Sequence, residues 1–134
     1  MLVIRHASAR DREEWAGDDR LRPLDPNGFA QAARLVELLD GYEIARVLSS
    51  PALRCVQTVE PLARERGLEV EVCDELAEER QRTDGAALAQ SLASEDVAPG
   101  VHGGLSDAAF GEGQKKAEVL VVDEEGRIVE RIRP

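Results

Sequence analysis

The order of apolar and polar positions along the chain predicts strands that alternate with helices. Residues 1–5 form an apolar run that ends at Arg5, which is typical of a short strand buried on both faces. Residues 45–48 predict a second strand. Residues 68–72 alternate between apolar and polar side chains and predict a third strand near a sheet edge. Residues 97–101 predict a fourth strand that is weak, because it contains a proline followed by a glycine.

Helices are expected between these strands. Asp25 opens the first helix, with a proline at the next position, and Gly41 ends it. Ser50 is expected to cap a second helix, again with a proline at the first helical position. This second helix runs towards Gly67, and we expect a kink or a break at Pro61.

The second half of the chain predicts shorter elements. Thr83 or Asp84 is expected to cap a third helix, and residues 105–110 suffice for barely two helical turns. At the end, two strand patterns flank a four-residue turn and predict a hairpin of residues 118–122 and 127–132.

Together these elements predict one α/β domain that spans residues 1–134. The expected architecture is a three-layer domain, a mainly parallel sheet flanked by helices, with a C-terminal antiparallel hairpin. A length of 134 residues fits one domain, and with 43% hydrophobic but only 3% aromatic residues the core must be mainly aliphatic. In such sheets the ligand site lies beyond the carboxyl ends of the strands.

Charge and composition exclude several classes of partner. The chain has 27 acidic and 17 basic residues, and this net charge of −10 disfavours binding to nucleic acid. No apolar run approaches the roughly 20 residues of a membrane span, and the start of the chain lacks a signal-peptide pattern, so we expect no membrane partner and a cytoplasmic location. Cys55 and Cys73 are expected to be free thiols.

The residues whose side chains could bind or attack a ligand share one property. Each lies at the end of a predicted strand or soon after it. They are Arg5 and His6 after the first strand, Arg54 after the second, Glu75 or Glu78 after the third, and His102 after the fourth. We expect them to converge on a phosphate site, in which His6 attacks phosphorus while Arg5, Arg54 and a protonated His102 hold the oxygens.

Structural roles remain open for each of these residues taken alone. A single histidine after a strand is commonly a hydrogen-bonded structural residue, and Glu78 lies in an acidic run that is typical of a solvated surface. Metal binding is not predicted, because the two histidines are far apart in sequence and no metal-ligand spacing occurs. We therefore expect no cofactor. The residues by themselves indicate phosphate binding.

Three motifs carry a resemblance to a known family. Residues 2–7 (LVIRHA), 22–28 (RPLDPNG) and 47–58 (VLSSPALRCVQT) resemble the histidine phosphatase superfamily, whose fold is phosphoglycerate-mutase-like. Within it they are similar to the small bacterial phosphohistidine phosphatases of the SixA type. Histidine phosphatase domains that accompany Nudix hydrolase domains share this pattern.

The resemblance implies a role for each matching residue. His6 would be the phosphorylated nucleophile, Arg5, Arg54 and His102 the rest of the phosphate pocket, Arg22 a further residue facing the substrate, and Glu78 or Glu75 the general acid. The expected activity is a metal-independent phosphatase with a phosphohistidine protein as favoured substrate. Two alternatives are a phosphatase of small monoesters, such as nucleotide or sugar phosphates, and a phosphate-binding domain without catalysis.

Overall fold

The structure, a computed structural model, describes residues 1–134 and contains six strands and four α-helices. The strands are β1 (Leu2–Arg5), β2 (Arg46–Ser49), β3 (Val70–Val72), β4 (Val97–Val101), β5 (Val119–Val122) and β6 (Ile128–Ile132). The helices are α1 (Pro26–Leu38), α2 (Leu53–Glu65), α3 (Ala86–Ser91) and α4 (Leu105–Phe110). Short 3₁₀-helical turns lie at Asp19–Leu21, Asp74–Leu76 and Glu78–Arg80, and a π-helical turn lies at Gln81–Gly85. None of the helices combines the length and the apolar character that crossing a lipid bilayer requires.

All six strands belong to one sheet, in the order β3-β2-β4-β1-β5-β6. β1 to β4 run parallel to one another, whereas β5 is antiparallel to β1 and β6 is antiparallel to β5. The prediction of a mainly parallel sheet with a C-terminal antiparallel hairpin is therefore confirmed. β3 lies at one edge, as its alternating pattern predicted.

Helices cover both faces of the sheet. Leu2 and Ile4 pack in one apolar cluster with residues of α1 and α2, whereas Val3 packs on the opposite face with residues of α3 and α4. This division follows from the strand geometry, because successive side chains point to opposite faces. The result is the three-layer arrangement that the sequence predicts.

The prediction that the fourth strand, β4, is weak is wrong. All five of its residues are buried in a regular strand that pairs with β1 on one side and β2 on the other. Pro99 has no backbone N–H to donate, but the strand is buried over its whole length and pairs with a neighbour on each side. Gly100 serves packing: a Cβ there would lie 2.9 Å from Val59 Cγ1 and 3.3 Å from the Cys55 carbonyl oxygen, so the glycine lets α2 approach the strand closely.

Helix starts were predicted with mixed success. Asp25 caps α1 as predicted, with its Oδ1 accepting the Gly28 N–H at 2.7 Å. α2 begins only at Leu53, so Ser50 does not cap it; the Ser50 hydroxyl accepts the Ala52 N–H at 3.2 Å, which leaves the intervening proline outside the helix.

Neither Thr83 nor Asp84 caps α3. That helix follows a π-helical turn and begins at Ala86, while the Asp84 carboxylate instead accepts a hydrogen bond from Arg80 Nε at 2.8 Å. At Pro61, where a kink or a break was expected, there is no break, and α2 is continuous through the proline. One face of α2 is buried against the sheet, and this packing tolerates the single backbone hydrogen bond that a proline removes.

Candidate active site

The carboxyl ends of β1, β2 and β4 open into two adjoining cavities. The smaller has a volume of about 500 Å³ and is lined by Arg54 and His102, and the larger has about 600 Å³ and is lined by Arg5 and His6. Glu78 lines both cavities. The structure thus brings together, at the predicted edge of the sheet, the residues that the sequence placed after its strands.

His6 presents one ring nitrogen without a proton. It follows β1 directly, and its backbone N–H donates to the Val101 carbonyl at 2.9 Å, which extends the pairing of β1 with β4 beyond the strand. The ring Nδ1 lies 2.8 Å from the Ala7 carbonyl oxygen. Since a carbonyl can only accept, Nδ1 carries the proton of the neutral ring, and Nε2 retains a free lone pair. Nε2 is the atom that can act as a nucleophile.

The surroundings of His6 keep the ring neutral. Burial disfavours the charged form, and the nearby His102, Arg54 and Arg5 add to this effect, so the pKa of His6 is lowered to about 3 despite its hydrogen bond to the Ala7 carbonyl. At neutral pH the ring is therefore an available nucleophile. A cationic imidazolium would have no lone pair to offer.

His102 lies beside His6 at the end of β4. The two ring centroids are 5.7 Å apart in an edge-on arrangement, and His102 is 1% exposed. Its Nε2 is 2.8 Å from the Ser50 hydroxyl, and its Nδ1 is 3.8 Å from Glu78 Oε2. Burial and the charge of Arg54 lower the pKa of His102, against the opposing effect of Glu78. The lowered pKa disfavours the protonated His102 that the sequence led us to expect.

Arg54 occupies the first turn of α2 and is almost completely buried. Its Nη1 donates to the Asp19 carbonyl at 2.9 Å, and its Nη2 lies 3.2 Å from Asp19 Oδ2 and 3.3 Å from Glu78 Oε1. Its Nε is buried without an acceptor. Because an unpaired buried donor costs about 1–3 kcal/mol, this group is suited to bind an oxyanion. α2 starts without a side-chain cap, so its first N–H groups add positive potential at the same place.

Arg5 approaches the site from the other side. Its Nη1 donates to the Gln114 carbonyl at 2.6 Å, while its Nε is buried without an acceptor, like that of Arg54. Gly103 provides the space for this guanidinium, because a Cβ at Gly103 would lie only 2.8 Å from Arg5 Cζ. Two arginines with unused donors thus converge on the cavities that flank the two histidines.

Glu78, and not Glu75, contacts the site. Both carboxylate oxygens of Glu78 accept from Arg12 Nη2 at 3.1 Å, and one of them also contacts Arg54. Glu75 lines neither cavity. The acidic run is therefore not a purely solvated surface: the Glu78 side chain is 40% exposed, and its carboxylate lies within reach of His102. Of the two acids, only Glu78 is in a position to exchange a proton with a bound group.

Arg22 is buried at the rim of the larger cavity, where it is held by the loop before it. Its Nε donates to Asp19 Oδ1 at 2.9 Å and its Nη1 to the Arg10 carbonyl at 2.6 Å. Asp19 also lies 3.3 Å from Arg12 Nε. Although burial opposes ionisation, the hydrogen bond from Arg22 and the charges of Arg54 and Arg12 hold the pKa of Asp19 below its ordinary value. Asp19 therefore joins three arginines in one charged network.

Four residues that position this site were not predicted from the sequence: Arg12, Asp19, Ser50 and Gln114. Arg12 and Asp19 lie in the polar segment after β1, where no periodic pattern in the sequence indicates a partner. Ser50 carried a signal, but for a helix cap. Gln114 carried none, because its partner Arg5 is 109 residues away in sequence.

The arrangement can bind and attack an anion. A neutral histidine nucleophile faces a region where two arginines have unused donors, and a second histidine and a carboxyl group lie at its edge. No group of three or more His, Cys, Asp or Glu side chains is arranged to hold a metal ion. These groups suit phosphoryl transfer, in which positioned cations stabilise the transferred oxygens.

Comparisons with known proteins agree with this chemistry. A model of the histidine phosphatase superfamily, branch 1, matches residues 1–120. An 8-oxo-(d)GTP phosphatase from Mycolicibacterium smegmatis is 46% identical over 65 residues, which are 48% of this chain. The aligned segment is 20% of that relative, so the chain corresponds to only part of it.

Solved structures show the same fold over nearly the whole chain. The structure of the protein histidine phosphatase SixA complexed with tungstate is 27% identical to this chain and has a TM-score of 0.76. The match covers 98% of this chain and 95% of that chain. The structure of a putative phosphohistidine phosphatase SixA from Agrobacterium tumefaciens has a TM-score of 0.77 at 24% identity and covers 99% of this chain and 97% of its own. The second likeness shows the fold alone.

Proposed function

Since the chain belongs to the histidine phosphatase superfamily, branch 1, we propose that it is a phosphatase that works through a phosphohistidine on His6. The observation that carries this proposal is the hydrogen bond from His6 Nδ1 to the Ala7 carbonyl, which leaves Nε2 unprotonated beside the unused donors of Arg5 and Arg54. A nucleophile and an oxyanion pocket in one place are what covalent phosphoryl transfer needs.

The proposed reaction has two steps. His6 Nε2 attacks phosphorus, the bond from phosphorus to the leaving group breaks, and the leaving group takes up a proton. Water then attacks the phosphohistidine, the bond from Nε2 to phosphorus breaks, and inorganic phosphate is released while the lone pair returns to His6. Arg5, Arg54 and His102 would stabilise the phosphoryl oxygens, and Arg22 would face the substrate from the rim. Because Arg5 and Arg54 supply the positive charge, we expect both steps to proceed without a metal ion.

A phosphohistidine protein is the substrate that we propose first. The similarity to the SixA structure complexed with tungstate extends over nearly all of both chains. Both cavities are open at the surface, which suits a phosphorylated side chain presented by another protein. The leaving group would then be an imidazole, which is much less basic than an alkoxide and depends less on a general acid.

The position of Glu78 favours a second candidate, the hydrolysis of a small phosphate ester of the nucleotide or sugar type. An alkoxide leaving group gains about 10²–10⁴-fold from a positioned acid. Glu78 lines both cavities, where a leaving group would depart. The relative from Mycolicibacterium smegmatis, an 8-oxo-(d)GTP phosphatase, supports a nucleotide substrate, although the terminal phosphoryl groups of a triphosphate are joined by anhydride bonds and do not leave an alkoxide.

The experiment compares a phosphohistidine peptide with an alkyl phosphate in the presence of a chelator. We expect wild type to turn over the peptide and to form an acid-labile, base-stable phosphoenzyme, and His6→Ala to do neither. Substantial turnover by folded His6→Ala would refute the mechanism. Restoration of lost activity by a divalent ion would refute metal independence.

Glu78→Gln separates the two substrate classes. It should leave peptide turnover within about threefold, since imidazole leaves readily, and it should slow an alkyl ester by about 10²-fold or more if the enzyme uses that acid. A wild type that prefers the alkyl ester and loses it in Glu78→Gln would establish the second candidate. Glu75→Gln, which changes an acid outside both cavities, is the matched control.

A further inference from the structure

Cations without a carboxylate partner concentrate at one cavity. Eleven of the 17 arginine and lysine side chains lie within 4 Å of a carboxylate oxygen. The six without such a partner are Arg5, Arg10, Arg34, Arg66, Lys115 and Lys116. Three of them, Arg5, Arg10 and Lys116, line the cavity of about 600 Å³ that contains His6. In a chain with 27 acids, this concentration marks a region built to receive negative charge.

Arg10 is held beside the cavity by its backbone while its side chain stays free. Its N–H donates to the Pro23 carbonyl at 3.0 Å, and its own carbonyl accepts from Arg22 Nη1 at 2.6 Å. The side chain is exposed and makes no ion pair. A fixed backbone with a free guanidinium is suited to a ligand that arrives from solvent.

Lys116 is placed next to His6 by a strained residue. Ala117 is fully buried and adopts a φ of 62°, a left-handed conformation that costs an alanine about 1–2 kcal/mol. Its N–H donates to the His6 carbonyl at 3.1 Å. The strained turn therefore ties the residue after Lys116 to the proposed nucleophile, and Lys116 lines the same cavity.

Each carboxylate of this cavity already accepts a hydrogen bond from the protein, and none pairs with Arg10 or Lys116. Asp25 accepts from the Gly28 N–H and the Ser8 hydroxyl, Asp11 accepts from the Glu13 N–H, and Glu78 accepts from an arginine. The pKa of Asp25 is lowered mainly by the hydrogen bond from Ser8, and the charge of nearby Lys116 adds a smaller effect. Asp25 and Lys116 do not form an ion pair. Five cationic side chains line the cavity against these three acids.

We propose that Arg10 and Lys116 form a second anion subsite beside the phosphoryl pocket. This subsite takes an oxyanion, a phosphate or a carboxylate, that the substrate carries next to the phosphoryl group that is transferred. The inference rests on the proposed function, because the subsite is defined by its position beside His6. It narrows the substrate to doubly anionic compounds or to phosphorylated side chains with an acidic neighbour.

Two matched pairs of small anions test the subsite by calorimetric titration. Pyrophosphate is compared with inorganic phosphate, and phosphonoacetate with methylphosphonate. With wild type, at least one doubly anionic probe should bind about tenfold more tightly than its partner, as expected for one or two added charge-assisted hydrogen bonds. Arg10→Gln and Lys116→Gln should each reduce this ratio to about threefold or less, with phosphate binding unchanged. Arg34→Gln, which removes an exposed unpaired arginine outside the cavity, should retain it.

The outcomes separate the two proposals. A preference for pyrophosphate assigns the subsite to a second phosphate, and a preference for phosphonoacetate assigns it to a carboxylate. If phosphate binds but neither ratio exceeds about threefold, or if Arg34→Gln abolishes the ratio as the other variants do, the subsite is refuted while the phosphate pocket stands. If wild type binds no phosphate at all, the proposed function itself is refuted.

Discussion

Acid should destabilise this fold through its buried histidines, and the size of the effect follows from the site. In the unfolded chain a histidine binds a proton at its ordinary pKa of 6.5, whereas in the folded protein burial and neighbouring charges lower the pKa of His6 to about 3. Between these two values the unfolded state binds more protons, so stability falls as the pH decreases. From pH 7 to pH 5, His6 alone should remove about 2 kcal/mol from the free energy of unfolding.

The measurement is urea unfolding at pH 7, 6 and 5, followed by far-ultraviolet circular dichroism in buffers without phosphate. His6→Asn retains an amide that can donate to the Ala7 carbonyl, but it cannot titrate. Its stability should fall about 2 kcal/mol less over this range than that of wild type. His102→Asn should reduce the decrease in the same direction, because the pKa of His102 is also lowered by burial. An equal decrease in wild type and in His6→Asn would refute the view that His6 is held neutral.

Two further substitutions test the phosphate pocket. Arg54→Lys should lower kcat/KM by about 10²-fold or more, because a lysine cannot reproduce the several donors of the buried guanidinium. The control is Arg64→Lys, at an exposed arginine that pairs only with a glutamate, and its kcat/KM should stay within about twofold of wild type. Equal effects of the two substitutions would mean that the site is misplaced. Gly103→Ala should displace Arg5, since the new Cβ would lie 2.8 Å from Arg5 Cζ, and it should lower kcat/KM about tenfold with little change in Tm. The control is Gly113→Ala, which has open space around the new Cβ. Full activity of Gly103→Ala would contradict the placement of Arg5.

Most of the fold could be predicted because its elements have strong local signals. The apolar run of β1, the Asp25 cap of α1 and the turn between β5 and β6 all depend on neighbouring residues, and all three are observed. β4 could not be predicted in the same way. A proline in a strand usually marks an edge, but this strand lies at the centre of the sheet, and its regularity depends on neighbours that are distant in sequence.

The candidate site, like the fold, could be predicted only where the signals are local. Parallel strands place their carboxyl ends at one edge, so residues that follow strands were predicted to meet, and Arg5, His6, Arg54 and His102 do meet there. The partners of these residues lie in loops. Asp19, for example, contacts Arg54 across 35 residues of sequence, and no periodic pattern records such a contact.

The C-terminal hairpin connects the edge of the sheet with the phosphate pocket. Glu118 is fully buried, and its carboxylate accepts from Arg131 Nη1 at 2.8 Å and from Arg133 Nε at 2.5 Å. Its own carbonyl oxygen accepts from the Gln114 side chain at 2.7 Å, and the Gln114 carbonyl in turn accepts from Arg5 Nη1. Arg131 and Arg133 are themselves 32% and 56% exposed, but they supply the charged partners of a buried carboxylate, which is costly to leave unpaired. The two arginines are therefore connected to Arg5 through Glu118 and Gln114, so we expect the hairpin to help position Arg5 although none of its residues lines either cavity.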